Sequence, residues 1–159
     1  MLGGMPDVAF ETLVDRHGPV VMRFLIARLG PIDAEDAFQE TMLSALRAYP
    51  DLRDAGAARA WLLRIAARAA HDAGRARRRR PIPVADVPDR PDPHAPEDPS
   101  GVWSGVRRLP DKQRTAVVLR VALDLAYREI GEVMRTSPEA ARRNVHEGLS
   151  TLRDRADKI

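Results

Sequence analysis

The sequence predicts an all-α protein made of two small helical domains that a proline-rich acidic linker joins. Apolar residues recur at spacings of three and four along most of the 159 residues, whereas Val, Ile and Thr form no long alternating run. Aromatic residues make up only 4% of the chain, so its cores have to be built mainly from Ala, Val, Leu and Ile. Both observations favour packed helices over a sheet.

A proline-rich segment over 81–100 divides the chain. Its seven prolines forbid a helix and favour an extended backbone. Five acidic residues against one arginine make the segment negative. We therefore expect a first domain over 1–80, a linker over 81–100 and a second domain over 101–159. A solvated spacer is the simplest interpretation of the linker.

The first domain begins with two predicted helical regions. A pair of helices is expected within 7–29, with an interruption at Gly18-Pro19 and a stop at Gly30-Pro31. The next helix is expected over 33–49 with Asp33 as its N-cap. Its helical spacing predicts that it buries Phe38, Met42, Leu46 and Tyr49.

A second face of the 33–49 helix is strongly acidic at its N-terminal end. It carries Asp36, Gln39, Glu40, Leu43 and Arg47, with Asp33 and Glu35 beside them. A solvated face whose acids complement the helix dipole and a docking surface for a basic partner both fit this pattern. A carboxylate metal or general-acid site has less support, because neither a histidine nor a second carboxylate cluster accompanies it.

A third helix, expected over 57–78, carries the opposite charge. It is predicted to bury Trp61, Ile65, Ala66 and Ala69, while Arg64, Arg68 and Arg75 follow one face. The helix ends in "GRARRRR", which indicates a solvated or polyanion-contacting end. Trp61 suits either a core position or a platform for a stacked base.

The second domain ends in a predicted helix-turn-helix. Its helices are expected near 102–108, 111–122, 127–134 and 138–155. Ser137 is a suitable N-cap for the last helix, Pro138 suits its first position and Glu139 suits the positive helix end. In such a motif the second helix enters the major groove, which places four side chains within reach of DNA: Glu139, Arg142, Arg143 and His146. An ordinary αα-hairpin with solvated arginines is the alternative.

Composition excludes several other classes of protein. The chain has no cysteine, which excludes disulfides, thiolate metal sites and a cysteine nucleophile. No secretory signal and no stretch of about 18 apolar residues is present, so we expect a cytoplasmic protein without membrane insertion. Lys112 and Lys158 are the only lysines at a pI of 9.9. The arginine guanidinium group binds phosphates and guanine edges through two hydrogen bonds better than lysine does, although a GC-rich coding bias also explains the excess of arginine over lysine.

Three segments in this order resemble the sigma-70 family of bacterial transcription initiation factors, in its compact extracytoplasmic-function (ECF) branch. The start of sigma region 2 resembles the segment "LVDRHGPVVMRFLIARLGPIDAEDAFQETMLSALRAY". The promoter-reading helix of region 2 resembles "AARAWLLRIAARAAHDAGRARRRR". Similar to sigma region 4 is "LPDKQRTAVVLRVALDLAYREIGEVMRTSPEAARRNVHEGLSTLR". The resemblance covers most of the chain.

This resemblance implies a binding protein that is not an enzyme and uses neither a cofactor nor a metal. Its partners would be core RNA polymerase, through the β′ clamp helices and the β flap, promoter DNA and an anti-sigma factor. The resemblance assigns polymerase docking to Asp33, Glu35, Asp36, Gln39, Glu40 and Leu43. It assigns the single-stranded −10 element to Arg59, Trp61, Arg64 and Arg68, and the −35 duplex to Glu139, Arg142, Arg143 and His146. Polymerase binding would place the protein at the nucleoid.

Other functions stay open at this point. A freestanding helix-turn-helix regulator would bind duplex DNA without polymerase, and a nucleic-acid-processing enzyme would use the acids of the 33–49 helix on a metal. Ala126 stands where relatives often have a Ser or Thr cap. Glu147 and Gly148 stand where arginines are common in the family, which leaves open a region 4 that serves more for polymerase or regulator binding.

Overall fold

A computed structural model describes residues 9–79 and 101–158. These residues form helices α1 (Phe10–Leu29), α2 (Pro31–Ala48), α3 (Ala58–Arg79), α4 (Val102–Arg107), α5 (Asp111–Val121), α6 (Tyr127–Met134) and α7 (Pro138–Ala156). Two short 3-10 turns, Tyr49–Asp51 and Ala55–Ala57, connect α2 to α3. No strand occurs in the two described ranges, and the predicted all-α class is confirmed. The predicted linker over 81–100 lies outside them.

Helix α1 is continuous, so the predicted interruption at Gly18-Pro19 was wrong. Proline in a helix interior costs about 3 kcal/mol because a backbone hydrogen bond is lost. Buried side chains on both sides of the proline, Leu13, Val21, Phe24 and Leu25, hold the helix in place, and each contributes roughly 1.5–3 kcal/mol. Packing on the two sides of Pro19 therefore outweighs the local break.

One glycine ends α1 and begins α2. The Gly30 N–H donates to the Ile26 carbonyl at 2.8 Å, and the Gly30 carbonyl accepts from the Ala34 N–H at 3.1 Å. Its φ of +87° is a conformation that favours glycine. Pro31 then occupies the first position of α2, and Asp33 lies in its first turn. The prediction of Asp33 as the N-cap was therefore wrong by one turn.

Small side chains form the buried face of α2. Ala34, Ala37, Thr41 and Ala45 are buried, and the Thr41 hydroxyl donates to the Ala37 carbonyl at 2.6 Å. Phe38 and Met42 are half-buried, Tyr49 is buried, and Leu46 is 53% exposed. The prediction that Leu46 is buried was therefore wrong, because the helix approaches α1 and α3 on its alanine face.

Residues 9–79 form the first half of the described molecule and residues 101–158 the second half, and α3 of the first half contacts both. It packs against α1 and α2 on one side and α6 on the other. Its buried residues are Ala58, Leu62, Leu63, Ala66 and Ala70, whereas Trp61, Ile65 and Ala69 are only half-buried. The predicted burial of Ala66 is confirmed, but the buried face as a whole is turned by about 75° from the predicted stripe, since contact with α6 adds to it.

The C-terminal helices form the expected helix-turn-helix. Helix α5 packs against α1, α4, α6 and α7 and is buried from Arg114 to Leu119. Arg135, in the left-handed conformation at φ +54°, ends α6, and Ser137 begins α7 by accepting from the Ala140 N–H at 3.1 Å. The predicted N-cap is confirmed. The Ala126 position lacks a side-chain acceptor, and the Glu129 carboxylate instead accepts from the Ala126 N–H at 2.9 Å.

Gly148 fixes the distance between α7 and α5. A methyl group at this position would lie 2.6 Å from Val117 Cγ2 and 3.4 Å from Leu109 Cδ1. The absence of a side chain is what lets the two helices meet. Gly148 therefore serves packing and lies away from the exposed face of α7.

We expect Gly148→Ala to lower the free energy of unfolding by about 1–3 kcal/mol, because overpacking forces the two helices apart. Gly74→Ala on α3 is the matched control, since nothing lies within 4 Å of the added methyl. It should raise stability by roughly 0.5–1 kcal/mol through helix propensity. Urea denaturation followed by circular dichroism measures both changes; equal effects of the two substitutions would contradict the packing role.

Candidate functional site

An exposed face of α2 combines acidic and apolar side chains. Ile32, Asp36, Gln39, Leu43 and Leu46 are all exposed, and helical geometry places them within an arc of about 80°. Ile32 is 78% exposed, Leu43 50% and Leu46 53%. Leu43 and Leu46 are neighbours on the helix surface, and an exposed apolar patch rimmed by charge is typical of a protein interaction site.

Sequence reasoning found only part of this face. Glu35 and Glu40 are exposed at its edges as predicted, and Asp33 is half-buried. Ile32 and Leu46 were missed. The available signal was their spacing, because Ile32 lies four residues before Asp36 and Leu46 lies three after Leu43.

The four candidate residues on α3 do not share one face. Arg64, Arg68 and Trp61 lie within about 60° of one another around the helix, whereas Arg59 lies about 140° from Arg64 at the start of the helix. Arg68 is exposed. Trp61 is half-buried and packs against two groups of buried apolar side chains, one that includes Leu62 and Leu63 and a smaller one of Leu13, Tyr49, Leu52 and Ala58. Trp61 therefore packs on the core and still presents part of its ring to solvent.

Two of these arginines contact α6. The Arg59 Nη2 donates to Glu129 Oε1 at 2.7 Å, and the Arg64 Nη2 donates to the Glu132 carbonyl at 2.8 Å. Arg64 also lines a shallow groove with Arg128 and Arg135 beside the turn of the helix-turn-helix. The positive charge of α3 thus continues onto the C-terminal helices.

The pKa of His17 on α1 depends on this positive charge. Partial burial lowers the pKa of His17, and the guanidinium groups of Arg16 and then Arg59 lower it further. Both causes disfavour the protonated imidazole. His17 is therefore a natural reporter of the charge at Arg59.

We expect Arg59→Gln to raise the pKa of His17, because removing a neighbouring positive charge makes protonation easier. NMR titration of the imidazole signals measures the change, and the chain has only four histidines to resolve. Arg75→Gln on the same helix is the control, since Arg75 is not among the groups that lower this pKa. Equal titration curves for the two variants would contradict the coupling.

The four candidate residues on α7 do share one face. Glu139, Arg142, Arg143 and His146 are all exposed and lie within an arc of about 100°. The buried residues Ala141, Val145 and Gly148 occupy the opposite side. Glu147 lies at the flank, where its Oε2 accepts from the Gln113 Nε2 at 3.3 Å. The arrangement leaves the two arginines available for an external partner.

Neither a metal centre nor a membrane span is found in the described ranges. Across 9–79 and 101–158, no three His, Cys, Asp or Glu side chains converge in a way that could hold a metal ion. None of the helices found there has the length and apolar character required to cross a bilayer.

Comparison with known proteins identifies the family. The family model for Sigma-70 region 2 matches residues 13–80, and that for Sigma-70, region 4 matches residues 102–152. The ECF RNA polymerase sigma factor ShbA of Streptomyces griseus is 34% identical, over 98% of this chain and 91% of the relative. The chain belongs to the ECF branch of the sigma-70 family. The RNA polymerase sigma factor CarQ of Myxococcus xanthus is also 34% identical to this sigma factor, over 92% of the chain and 88% of CarQ.

Solved structures share the fold of this sigma factor. The sigma factor RpoE of Bartonella quintana, solved with the anti-sigma factor NepR, aligns with a TM-score of 0.72 at 18% identity, over 91% of this chain and 94% of RpoE. CnrH, solved with the cytosolic domain of CnrY, aligns with a TM-score of 0.65 at 22% identity, over 94% of this chain and 88% of CnrH. The expected resemblance and the helical architecture are both confirmed.

Proposed function

We propose that this ECF sigma factor binds core RNA polymerase and directs promoter recognition, −10 melting and transcription initiation. The observation that carries the proposal is the pair of exposed faces on one chain: the acidic and apolar face of α2 and the arginine face of α7. Residues 1–80 would serve docking and the −10 element, and residues 101–159 the −35 element. The polymerase, and not this chain, would catalyse the chemical step.

The α2 face is suited to a basic protein surface. We propose that Asp33, Glu35, Asp36, Gln39, Glu40 and Leu43 dock on the β′ clamp helices, with Ile32 and Leu46 extending the contact. Acidic residues steer the encounter, and apolar side chains that lose water on binding add affinity. Such a division suits a subunit that has to find and hold one partner.

The α3 face is suited to single-stranded DNA. We propose that Arg64 and Arg68 contact the backbone of the −10 strand, that the exposed part of Trp61 stacks on a base, and that Arg59 contributes from another side of the start of the helix. Stacking contributes about 1–3 kcal/mol per base, comparable to the few kcal/mol that unstacking costs. Melting would therefore also require the polymerase.

The α7 face is suited to the major groove of the −35 element. Each good bidentate contact from Arg142 or Arg143 to a guanine would discriminate by about 1–3 kcal/mol. Tethering both domains to one polymerase raises their effective concentration at the promoter, so neither has to bind DNA strongly alone. We also propose that the protein works in the cytoplasm, at the nucleoid when it is bound to polymerase.

Further protein partners follow from the family. Two structures of similar fold hold an anti-sigma factor or the cytosolic domain of a partner protein. We propose that an anti-sigma factor also binds this chain, and that residues 101–159 contact the β flap of the polymerase. The α2 face is an accessible target for such an inhibitor.

We expect Asp36→Arg to weaken binding to bacterial core RNA polymerase at least tenfold, because it reverses a charge at the centre of the α2 face. Asp15→Arg is the control, since Asp15 is also exposed but lies on α1, outside the α2 face and outside the residues proposed to contact the β flap. A pull-down with purified core polymerase measures both. Undiminished binding of Asp36→Arg would remove the assigned docking face.

We expect Arg142→Ala to weaken and relax −35 recognition by about tenfold, the equivalent of ~1.4 kcal/mol per lost base contact. Run-off transcription from a library of promoter fragments measures the change in preference. Arg153→Ala is the control, because Arg153 lies on the same helix about 16 Å further along. An unchanged promoter profile would contradict base reading, and selective duplex binding without polymerase would instead support a freestanding regulator.

A further inference from the structure

A buried arginine joins the two halves of the molecule. Arg28, near the end of α1, is 1% exposed although it carries a full charge. Its Nη2 donates to Asp111 at the start of α5, and its Nε donates to the Thr115 hydroxyl at 3.3 Å. Both acceptors lie more than eighty residues away along the chain. The charge on α1 is therefore neutralised by the second half of the molecule.

Asp111 is the centre of this contact. Its Oδ1 also lies 3.2 Å from His71 Nδ1 of α3, so one carboxylate meets two elements of the first half. The positive end of the α5 dipole favours a negative charge at this position. Arg28 is buried and Asp111 is 40% exposed. Replacing Asp111 therefore leaves a buried positive charge without this partner, and separation of the two halves would relieve it by exposing Arg28 to water.

A second set of contacts between the halves involves two of the residues proposed for the −10 strand. Glu129 and the Glu132 carbonyl of α6 accept from Arg59 and Arg64. Below them a crevice of about 110 Å³ separates α3 from α6, and Leu63, Leu125 and Val133 line it. These three side chains are buried and belong to a core that continues from one half into the other. Helix α6 thus contacts two of the four residues proposed for the −10 strand and takes up their hydrogen-bond donors.

The central residues of the other two proposed faces are exposed in the same arrangement. Asp36, Leu43 and Leu46 on α2 are exposed, and so are Arg142 and Arg143 on α7. The contact between the halves therefore interferes selectively with the single-stranded DNA surface.

We infer that the contact of Arg28 with Asp111 and Thr115 is an intramolecular latch that keeps α6 on Arg59 and Arg64. In the latched state the chain can dock on polymerase, but the latch has to open before the −10 strand is engaged. The inhibitory role of the latch rests on the proposed function of α3, whereas the latch itself does not.

Distances between two spin labels test the latch in the full chain. The chain has no cysteine, so Thr12→Cys and Arg155→Cys, both at exposed positions, provide two unique labelling sites. We expect one narrow distance distribution in this background. Asp111→Lys should lengthen and broaden it, whereas the control Asp157→Lys, with the same charge change at the end of α7, should leave it unchanged.

Binding of a mixed-sequence single-stranded DNA oligonucleotide tests the inhibitory role. Fluorescence anisotropy should show Asp111→Lys binding on the order of threefold or more tightly than Asp157→Lys, because the apparent affinity rises with the open fraction. Glu129→Gln, which weakens the ion pair to Arg59 but keeps an oxygen for the Ala126 N–H, should also increase binding.

The outcomes separate the latch from the proposed function. An unchanged distance in Asp111→Lys, with its helical circular dichroism intact, overturns the latch. A longer distance without tighter DNA binding overturns the inhibitory role and the assignment of Arg59 and Arg64 to the −10 strand. If Asp111→Lys loses its helical signal, Thr115→Val replaces it, because it removes one acceptor of Arg28 and conserves shape; a lengthened distance supports the latch and an unchanged one overturns it.

Discussion

Close helix contacts through alanine determine the shape of the first half of this sigma factor. With few aromatic residues available, α2 meets α1 and α3 through Ala34, Ala37 and Ala45. Small side chains bring helix axes near one another and leave no room between them for leucine. Ile32, Leu43 and Leu46 are left on the outside, where they form the apolar part of the proposed docking face. One packing constraint thus produces both the core and the proposed interaction surface.

The sequence predicted the helix-turn-helix more accurately than the first half, and the reason is physical. Ser137, Pro138 and Glu139 mark a helix start through backbone hydrogen bonds within a few residues, so their signal is local. Whether Leu46 is buried and whether Pro19 interrupts its helix depend instead on how the rest of the chain packs around them. Helical periodicity finds an apolar stripe, but it does not say which of two apolar faces is buried.

The candidate site shows the same difference between local signals and long-range packing. The arginine face of α7 was predictable because four residues on one helix decide it. Leu46 escaped prediction because its spacing put it in the predicted buried stripe, and Ile32 because it precedes the predicted start of the helix at Asp33. Arg28 gave no signal at all: an arginine in an arginine-rich chain is ordinary, and its partner Asp111 lies 83 residues away. Long-range electrostatic contacts of this kind require the three-dimensional structure.

The two sides of α7 have separate roles. Ala141, Val145 and Gly148 face α5, and none of the residues proposed to read DNA contributes to that contact. Substitutions at Glu139, Arg142, Arg143 or His146 would therefore leave the packing of the domain unaltered. If the exposed side of α7 reads promoters as proposed, promoter preference can diverge through changes that carry little penalty for folding, and chains of equal stability can then serve different sets of genes.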